Sequence, residues 1–263
     1  MSKLERLGIE VSKLGFGCMR LPMKDGSIDQ EQALSMFDYA YQHGVNYYDT
    51  AWPYLGGTSE PFVGNALSRY PRDSFYLATK MPVWLVNSAA DFERIFEEQL
   101  LRLKTDHIDF YLLHALSKAR FDQVLEQGLY DLCRKKQQEG KIRYIGFSYH
   151  DPAERFPVIA EHYPWDYQTL ENLGIPCMVM EPVRGGFLAN LPEEFSALFR
   201  EYDPKRSPAA WALKWVASHS NVKVTLSGMS NMEQLIDNIH TFEQNLTMTA
   251  AEEQVVRSVV QKI

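Results

Sequence analysis

The sequence predicts an α/β fold, a single (β/α)8 TIM barrel over residues 1–263. Three observations predict it. Apolar strand-like runs alternate with amphipathic helical stretches, the pattern of a parallel sheet with helical crossovers. The runs are apolar throughout rather than strictly alternating, so both faces of the sheet are covered. Markers at Leu14, Val45, Phe75, Ile108, Ile142, Trp165, Cys177 and Val224 give about eight strand–helix units, which suits a chain of 263 residues. A doubly wound dinucleotide-binding sheet competes with the barrel, but no G-x-G-x-x-G follows an early strand.

Residues 4–12 read as a short hairpin strand turning at Gly8, and Leu14 to Leu21, LGFGCMRL, as a second apolar run. Asp29 to His43 carries Ala33, Met36, Phe37 and Ala40 at helical spacing, and Gly44 closes it. Strands follow at 45–50, 75–80, 107–114 and 142–148. The helices between and after them fall at 59–70, 90–103, 123–139 and 152–162, the third of these ended by Gly140. Further on, 176–183 and 222–228 read as strands, and 207–219, 232–241 and 249–261 as helices.

The alternation breaks once. Trp165 to Gln168 reads as the sixth strand and the seventh begins near Pro176, which leaves only Thr169 to Ile175 between them. A parallel crossover with its helix needs at least about 10–12 residues. Either the barrel lacks a helix here or a segment near residues 168–170 is absent from this sequence. The second is the expectation, with Leu170 to Gly174 as the end of the missing helix.

Composition excludes several classes. The 45% hydrophobic and 23% charged fractions are ordinary for a globular protein. A net charge of -7 with no long basic run argues against a nucleic-acid partner. No run of apolar residues is long enough to span a membrane, and MSKLERLGIE is charged too early for a signal peptide. Cys18, Cys133 and Cys177 lie far apart and in no metal-like spacing. They read as buried thiols in a reducing compartment, the cytoplasm.

Three consecutive strands end on a titratable residue: Asp49, Lys80 and His114. Tyr54 lies in the Pro/Gly-broken loop after the first of them. Barrel active sites sit at the C-terminal strand ends, so these four side chains are expected to meet. A carboxylate ending a buried strand requires a cation, and Lys80 supplies it. A lysine beside a phenol is expected to lower the tyrosine pKa from about 10. Asp49 would orient the ammonium, Tyr54 exchange a proton with a carbonyl oxygen or alcohol, and His114 position that oxygen. Such a donor needs a hydride source that no side chain provides, which implies a nicotinamide cofactor. Singly, the same residues read as a structural ion pair, a core histidine and a loop aromatic; their joint placement points to chemistry. Trp52 and Trp84 follow strand ends and are candidates to line a substrate pocket. Trp165, Trp211 and Trp215 read as core, and His43, His107, His150, His162 and His219 as surface or capping residues. Arg184 reads equally as a phosphate contact or a solvent-facing cation.

Around these residues the chain resembles the aldo-keto reductase family over nearly its whole length. GVNYYDTAWPYLGGTSE, LATKMP, HIDFYLLH, GKIRYIGFS, MEPVRGG and SGMSNMEQLIDN occur in that family's order and spacing. The resemblance implies an eight-stranded parallel barrel and reversible NAD(P)H-dependent reduction of aldehydes or ketones. It implies a tetrad of Asp49, Tyr54, Lys80 and His114, with Tyr54 as general acid. For NADP(H) or NAD(H) it implies Ser148 and Gln168 at the carboxamide and Met180 against the nicotinamide. Glu181, Pro182, Val183, Gly185 and Gly186 would meet the pyrophosphate, where glycine admits the phosphates to backbone amides. Gly228, Ser230 and Asn231 would form an anion site at a helix start, with Gln234 and Asn238 at the adenosine.

Two positions depart from the family pattern. Tyr149 and His150 follow Ser148 where an asparagine is usual. Gly228 and Gln234 stand where many members hold a 2′-phosphate with lysine and arginine, so the choice between NADPH and NADH stays open. LGFGCMRLP, LLHALSKA and VMEPVRGG look most like the subgroup whose barrel is followed by a cysteine-rich iron–sulfur segment. A cluster is implied only if such a segment belongs to the protein. Two rival functions remain at this point: a nicotinamide-binding redox-sensing or regulatory subunit with little turnover, and a metal-dependent barrel hydrolase. The hydrolase lacks support from any H-x-H or H-E-x-x-H. Neither substrate identity nor oligomeric state is written in the sequence.

Overall fold

The computed structural model describes residues 9–163 and 177–262. In chain order its strands are β1 (Leu14–Gly17), β2 (Met23–Lys24), β3 (Ser27–Ile28), β4 (Tyr47–Asp49), β5 (Tyr76–Met81), β6 (Ile108–Leu116), β7 (Ile142–Tyr149), β8 (Cys177–Val179) and β9 (Val222–Gly228). The helices are α1 (Gln30–Gln42), α2 (Ser59–Leu67), α3 (Ala89–Leu103), α4 (Lys118–Glu126), α5 (Leu129–Gln138), α6 (Phe156–His162), α7 (Glu193–Tyr202), α8 (Pro208–Ala217), α9 (Met232–Glu243) and α10 (Ala250–Val260). The chain divides into two compact units. The first comprises residues 1–16, 21–45 and 177–263, and the second 17–20 and 46–176.

The second unit is a run of strand–helix repeats. Strands β4, β5, β6 and β7 lie side by side in sequence order, all parallel. Asp49 stands opposite Ala78, and Lys80 opposite Leu112. Parallel neighbours need a crossover, and α2, α3 and the α4–α5 pair supply the three. Helix α3 buries Phe92, Ile95, Phe96 and Leu103, a stripe at helical spacing. It packs into a core with Ile108, Tyr111, Leu113, Val124, Leu129, Ile142 and Ile145. Burying each such side chain contributes about 1.5–3 kcal/mol. Helix α2 comes so close to α3 that a Cβ on Gly64 would lie 2.3 Å from the Arg102 carbonyl oxygen. A glycine inside a helix is otherwise unfavourable; the close approach explains it.

In the first unit β8 and β9 are parallel, and β9 also neighbours β1. The Thr225 N–H donates to the Lys13 carbonyl at 2.8 Å. Asp29 caps α1 by accepting from Gln32 N–H, and Gly44, at φ 79°, takes the chain out of it. Phe199, Trp211 and Val259 bring α7, α8 and α10 together, with the first two rings stacked at 4.9 Å between centres, within the range of aromatic pairs.

Several expectations need correction. The helix expected at 123–139 is two helices, because Gly128 adopts φ 59° between them. Residues 9–12 form no strand, and the remainder of the expected first hairpin lies outside the described residues. Strand β8 stops at Val179 rather than running to 183. Trp211 is core, but Trp215 is 45% exposed. The expected sixth strand, Gln168 and the break in the alternation also lie outside the described residues.

Candidate active site

The four candidate side chains of the second unit meet around one ammonium. Asp49 ends β4, Lys80 lies near the end of β5, and His114 lies near the end of β6. Tyr54 opens the 3-10 turn Tyr54–Gly57 that follows β4. Lys80 is fully buried. Its Nζ donates to Asp49 Oδ1 at 2.5 Å and to the Thr50 carbonyl at 2.8 Å. The same Nζ lies 4.7 Å from the centre of the Tyr54 ring. The Tyr54 and His114 rings meet edge to face at 5.9 Å.

The backbone explains how these groups are held. The Cys18 N–H donates to the Asp49 carbonyl at 2.8 Å, and Ser59 Oγ donates to the Cys18 carbonyl at 2.9 Å. Leu55 and Gly56 turn with positive φ inside the loop, which sends the chain directly from Tyr54 into α2. Beyond His114, β6 carries a register shift at Ala115, whose φ is 51°. A non-glycine residue at that φ is strained, and two hydrogen bonds hold it. Its N–H donates to Ser148 Oγ at 2.7 Å, and its carbonyl accepts from Arg120 Nη1 at 2.7 Å.

Behind β5 lies a polar network that sequence reasoning missed. Glu60, fully buried in the first turn of α2, accepts from Thr79 Oγ1 at 2.7 Å and Gln99 Nε2 at 2.6 Å. Gln99 also donates to the Lys80 carbonyl at 3.1 Å and accepts from the Tyr111 hydroxyl at 2.7 Å. Arg102 completes it, bonding Glu60 Oε2 at 3.2 Å with its guanidinium 3.7 Å over the Trp52 ring. The Lys80 carbonyl and the Thr79 side chain before it are thereby held. The one sequence cue was an acid in the first turn of α2, an ordinary place for one.

Burial dominates the electrostatics. It raises the Asp49 carboxyl pKa, against the opposing pull of Lys80. On Lys80, burial pushes the pKa down, but the charges and hydrogen bonds of Asp49 and Tyr54 together outweigh it and the net shift is upward. The expected lowering of the Tyr54 pKa does not occur. Burial raises it, and the opposing effect of Lys80 only moderates the rise. Tyr54 is therefore a protonated phenol at neutral pH, the form a proton donor needs. Burial, then Lys80, His150 and Arg120, hold the His114 pKa down to about 3, so its imidazole is neutral. Asp49 Oδ2 and His114 Nδ1 are buried and make no hydrogen bond among the described residues.

Of the cofactor candidates, Ser148 lies in the second unit, 4% exposed. It accepts from Ala115, which leaves its own hydroxyl proton free to donate. The others that the structure describes lie in the first unit. Glu181 (φ 53°), Arg184 (φ 48°), Gly185 (φ 67°) and Gly186 (φ 101°) turn the tight loop after β8, with Pro182 and Val183 inside it and the half-buried Met180 just before it. Successive left-handed turns of this kind turn backbone amides toward an anion. After β9 and Gly228, Asn231 caps α9 by accepting from Gln234 N–H at 2.9 Å. The Ser230 N–H and hydroxyl both donate to Gln234 Oε1, at 2.8 and 3.2 Å. An acceptor oxygen thus already sits on the donors that a phosphate would use. Asn238 is buried and donates to Ser227 Oγ at 2.7 Å, tying α9 to β9.

Comparison with known proteins shows the same family across the chain. The family model for the aldo/keto reductases matches residues 13–169 and 166–255. A protein of Glycine max described as a probable aldo-keto reductase is 26% identical over 291 aligned positions, covering 90% of this chain and 82% of the relative. The NADH-specific methylglyoxal reductase of Escherichia coli is 24% identical over 309 positions, covering 93% and 91%. Among solved structures, the holo form of the aldo-keto reductase AKR11C1 from Bacillus halodurans is 29% identical with a TM-score of 0.72, covering 95% of this chain and 92% of that one. An aldo/keto reductase from Klebsiella pneumoniae in complex with NADP and acetate gives a TM-score of 0.76 at 23% identity, with the same coverage. The fold class is the α/β barrel of these neighbours.

Proposed function

Because the chain belongs to the aldo/keto reductase family, we propose that it reduces aldehydes or ketones to alcohols with NAD(P)H, with Tyr54 as the general acid. The observation that carries this reading is the fully buried Lys80 ammonium, bonded to Asp49 and set against the Tyr54 ring. The chemistry a nicotinamide would supply, when bound, is hydride donation to the carbonyl carbon. As charge develops on the carbonyl oxygen, Tyr54 gives it the phenolic proton. Lys80 stabilises the phenolate that results, and Asp49 holds Lys80 in place and balances its charge. Neutral His114 offers the same oxygen an N–H and fixes its direction.

The residues that would hold the cofactor are Ser148 and Gln168 at the carboxamide, Met180 against the nicotinamide ring and the 181–186 loop at the pyrophosphate. Ser230, Asn231, Gln234 and Asn238 would serve the adenosine end. Their donors suit the group: amides in a positive-φ loop, a serine with a free hydroxyl proton and a helix start. With Gly228 and Gln234 in place of cations, NADH is expected to serve at least as well as NADPH. The three cysteines are buried, as thiols in a reducing compartment usually are, and the cytoplasm is the expected location. Among the described residues no helix is long and apolar enough to cross a membrane. The expected partner is a small carbonyl compound.

The test is Tyr54→Phe. The variant is expected to bind NAD(P)H as the wild type does and to lose about two to four orders of magnitude in aldehyde reduction, the scale of general acid catalysis. Turnover at the wild-type rate would remove Tyr54 from this role.

A further inference from the structure

Beside His114 lies a cation that proton transfer from Tyr54 does not use. Arg120 sits in the first turn of α4, where its N–H donates to Ser117 Oγ. Its guanidinium lies 4.8 Å over the Trp84 ring, and that indole lies 5.2 Å from the His114 imidazole. One indole therefore touches both the candidate oxygen-positioning group and the cation. Trp84 is 37% exposed and Arg120 half-buried, so the pair forms an accessible wall rather than core.

The donor count leaves Arg120 under-used. A guanidinium has five N–H donors and no acceptor. Among the described residues Arg120 makes one side-chain hydrogen bond, from Nη1 to the Ala115 carbonyl, and no ion pair. The acids of the neighbouring segments are engaged elsewhere: Asp122 by Lys118 at 2.7 Å, and Asp151 by Arg155 at 3.3 Å. The indole beneath it and the Ala115 carbonyl together restrain the guanidinium, and its fork matches a carboxylate or phosphate with two parallel bonds. The flank of His114 is thus electropositive in a chain whose net charge is -7.

We propose that Arg120, held on Trp84, binds an anionic group of the substrate, so that the preferred substrates are carbonyl compounds bearing a carboxylate or phosphate. This rests on the carbonyl-reductase reading. The competing role for Arg120 is structural, as a tie to the strained Ala115.

Two measurements on the full chain decide it. The first compares kcat/KM for 4-formylbenzoate with that for its neutral methyl ester. The wild type is expected to favour the carboxylate, and Arg120→Met to lower that preference ratio by about tenfold or more, the scale of a lost charged contact. Arg120→Lys, which keeps the charge without the fork, is expected to fall between them. A ratio unchanged in Arg120→Met, with both substrates slowed alike, overturns the proposal in favour of the structural role. Glyceraldehyde 3-phosphate against glyceraldehyde applies the same comparison to phosphate and shows which anion is preferred. The second measurement is calorimetric binding of the unreactive 4-(hydroxymethyl)benzoate in the presence of NAD(P)H, which needs no turnover. About tenfold weaker binding to Arg120→Met supports the proposal even if no aldehyde is reduced, an outcome that would count against the reductase reading instead. Equal binding to both proteins, or none to the wild type, overturns the proposal.

Discussion

Two buried carboxylates, each paired with a lysine, have opposite electrostatics. Glu252 in the first unit is saturated with donors. Lys214 Nζ at 2.7 Å and Arg206 Nη1 at 2.6 Å meet its Oε1, and the Thr249 N–H meets Oε2 at 2.8 Å in a capping box. Burial pushes its pKa up, but these donors outweigh burial and bring it to about 2. Asp49 in the second unit has one strong partner on Oδ1 and, among the described residues, none on Oδ2, and burial prevails. The comparison separates a carboxylate that holds a fold together from one kept short of partners. Asp49 Oδ1 holds one ammonium, and that ammonium lies against the Tyr54 ring.

The largest way to break this contrast is Lys80→Met. It leaves a carboxylate buried without its cation, which costs about 3–5 kcal/mol, and it removes aldehyde reduction. Denaturant midpoints with parallel rate assays measure both. Adding Asp49→Leu is expected to recover most of the stability and none of the activity, because an apolar pair of similar volume is tolerated where a lone charge is not. A double variant as unstable as the single would mean that the ion pair itself stabilises the fold.

A smaller effect is expected from Glu252→Gln, about 1–3 kcal/mol of stability at neutral pH. Its pH dependence has a definite sign. The folded pKa is depressed below the ordinary glutamate value of 4.5, so the stabilisation is full above that value and is lost as pH falls toward about 2. Acid unfolding of the wild type and variant should therefore converge across that window. His114 works in the same direction at higher pH. Its folded pKa of about 3 lies below the ordinary 6.5, so the unfolded chain takes up a proton first and stability declines as pH falls through that interval.

Asp49, Lys80 and His114 are legible in the sequence because each comes at the end of an apolar run, where an ionisable side chain has no local reason to be. Tyr54 is legible through its loop, but the sign of its pKa shift is not: a neighbouring lysine shows in a motif, and the depth of burial does not. Glu60 and Arg120 look like ordinary first-turn charges of helices. Only tertiary packing makes one the acceptor behind β5 and the other a cation lying over the Trp84 ring. Helix α7 was missed although Phe195, Leu198, Phe199 and Tyr202 carry its period. The break at Gly128 was missed because helical spacing continues on both sides of it. Trp215 read as core because α8 is apolar on most of its faces, which hides the exposed side.

The measurement that bears most directly on Tyr54 is the pH profile of kcat/KM for aldehyde reduction, which reports the acid groups of the free enzyme. The phenol pKa is raised by burial and the imidazole is already neutral. The rate is therefore expected to stay level through neutral pH and to fall only above the ordinary tyrosine value of about 10. An alkaline fall centred well below that value, or a profile and rate left unaltered by Tyr54→Phe, would contradict the account.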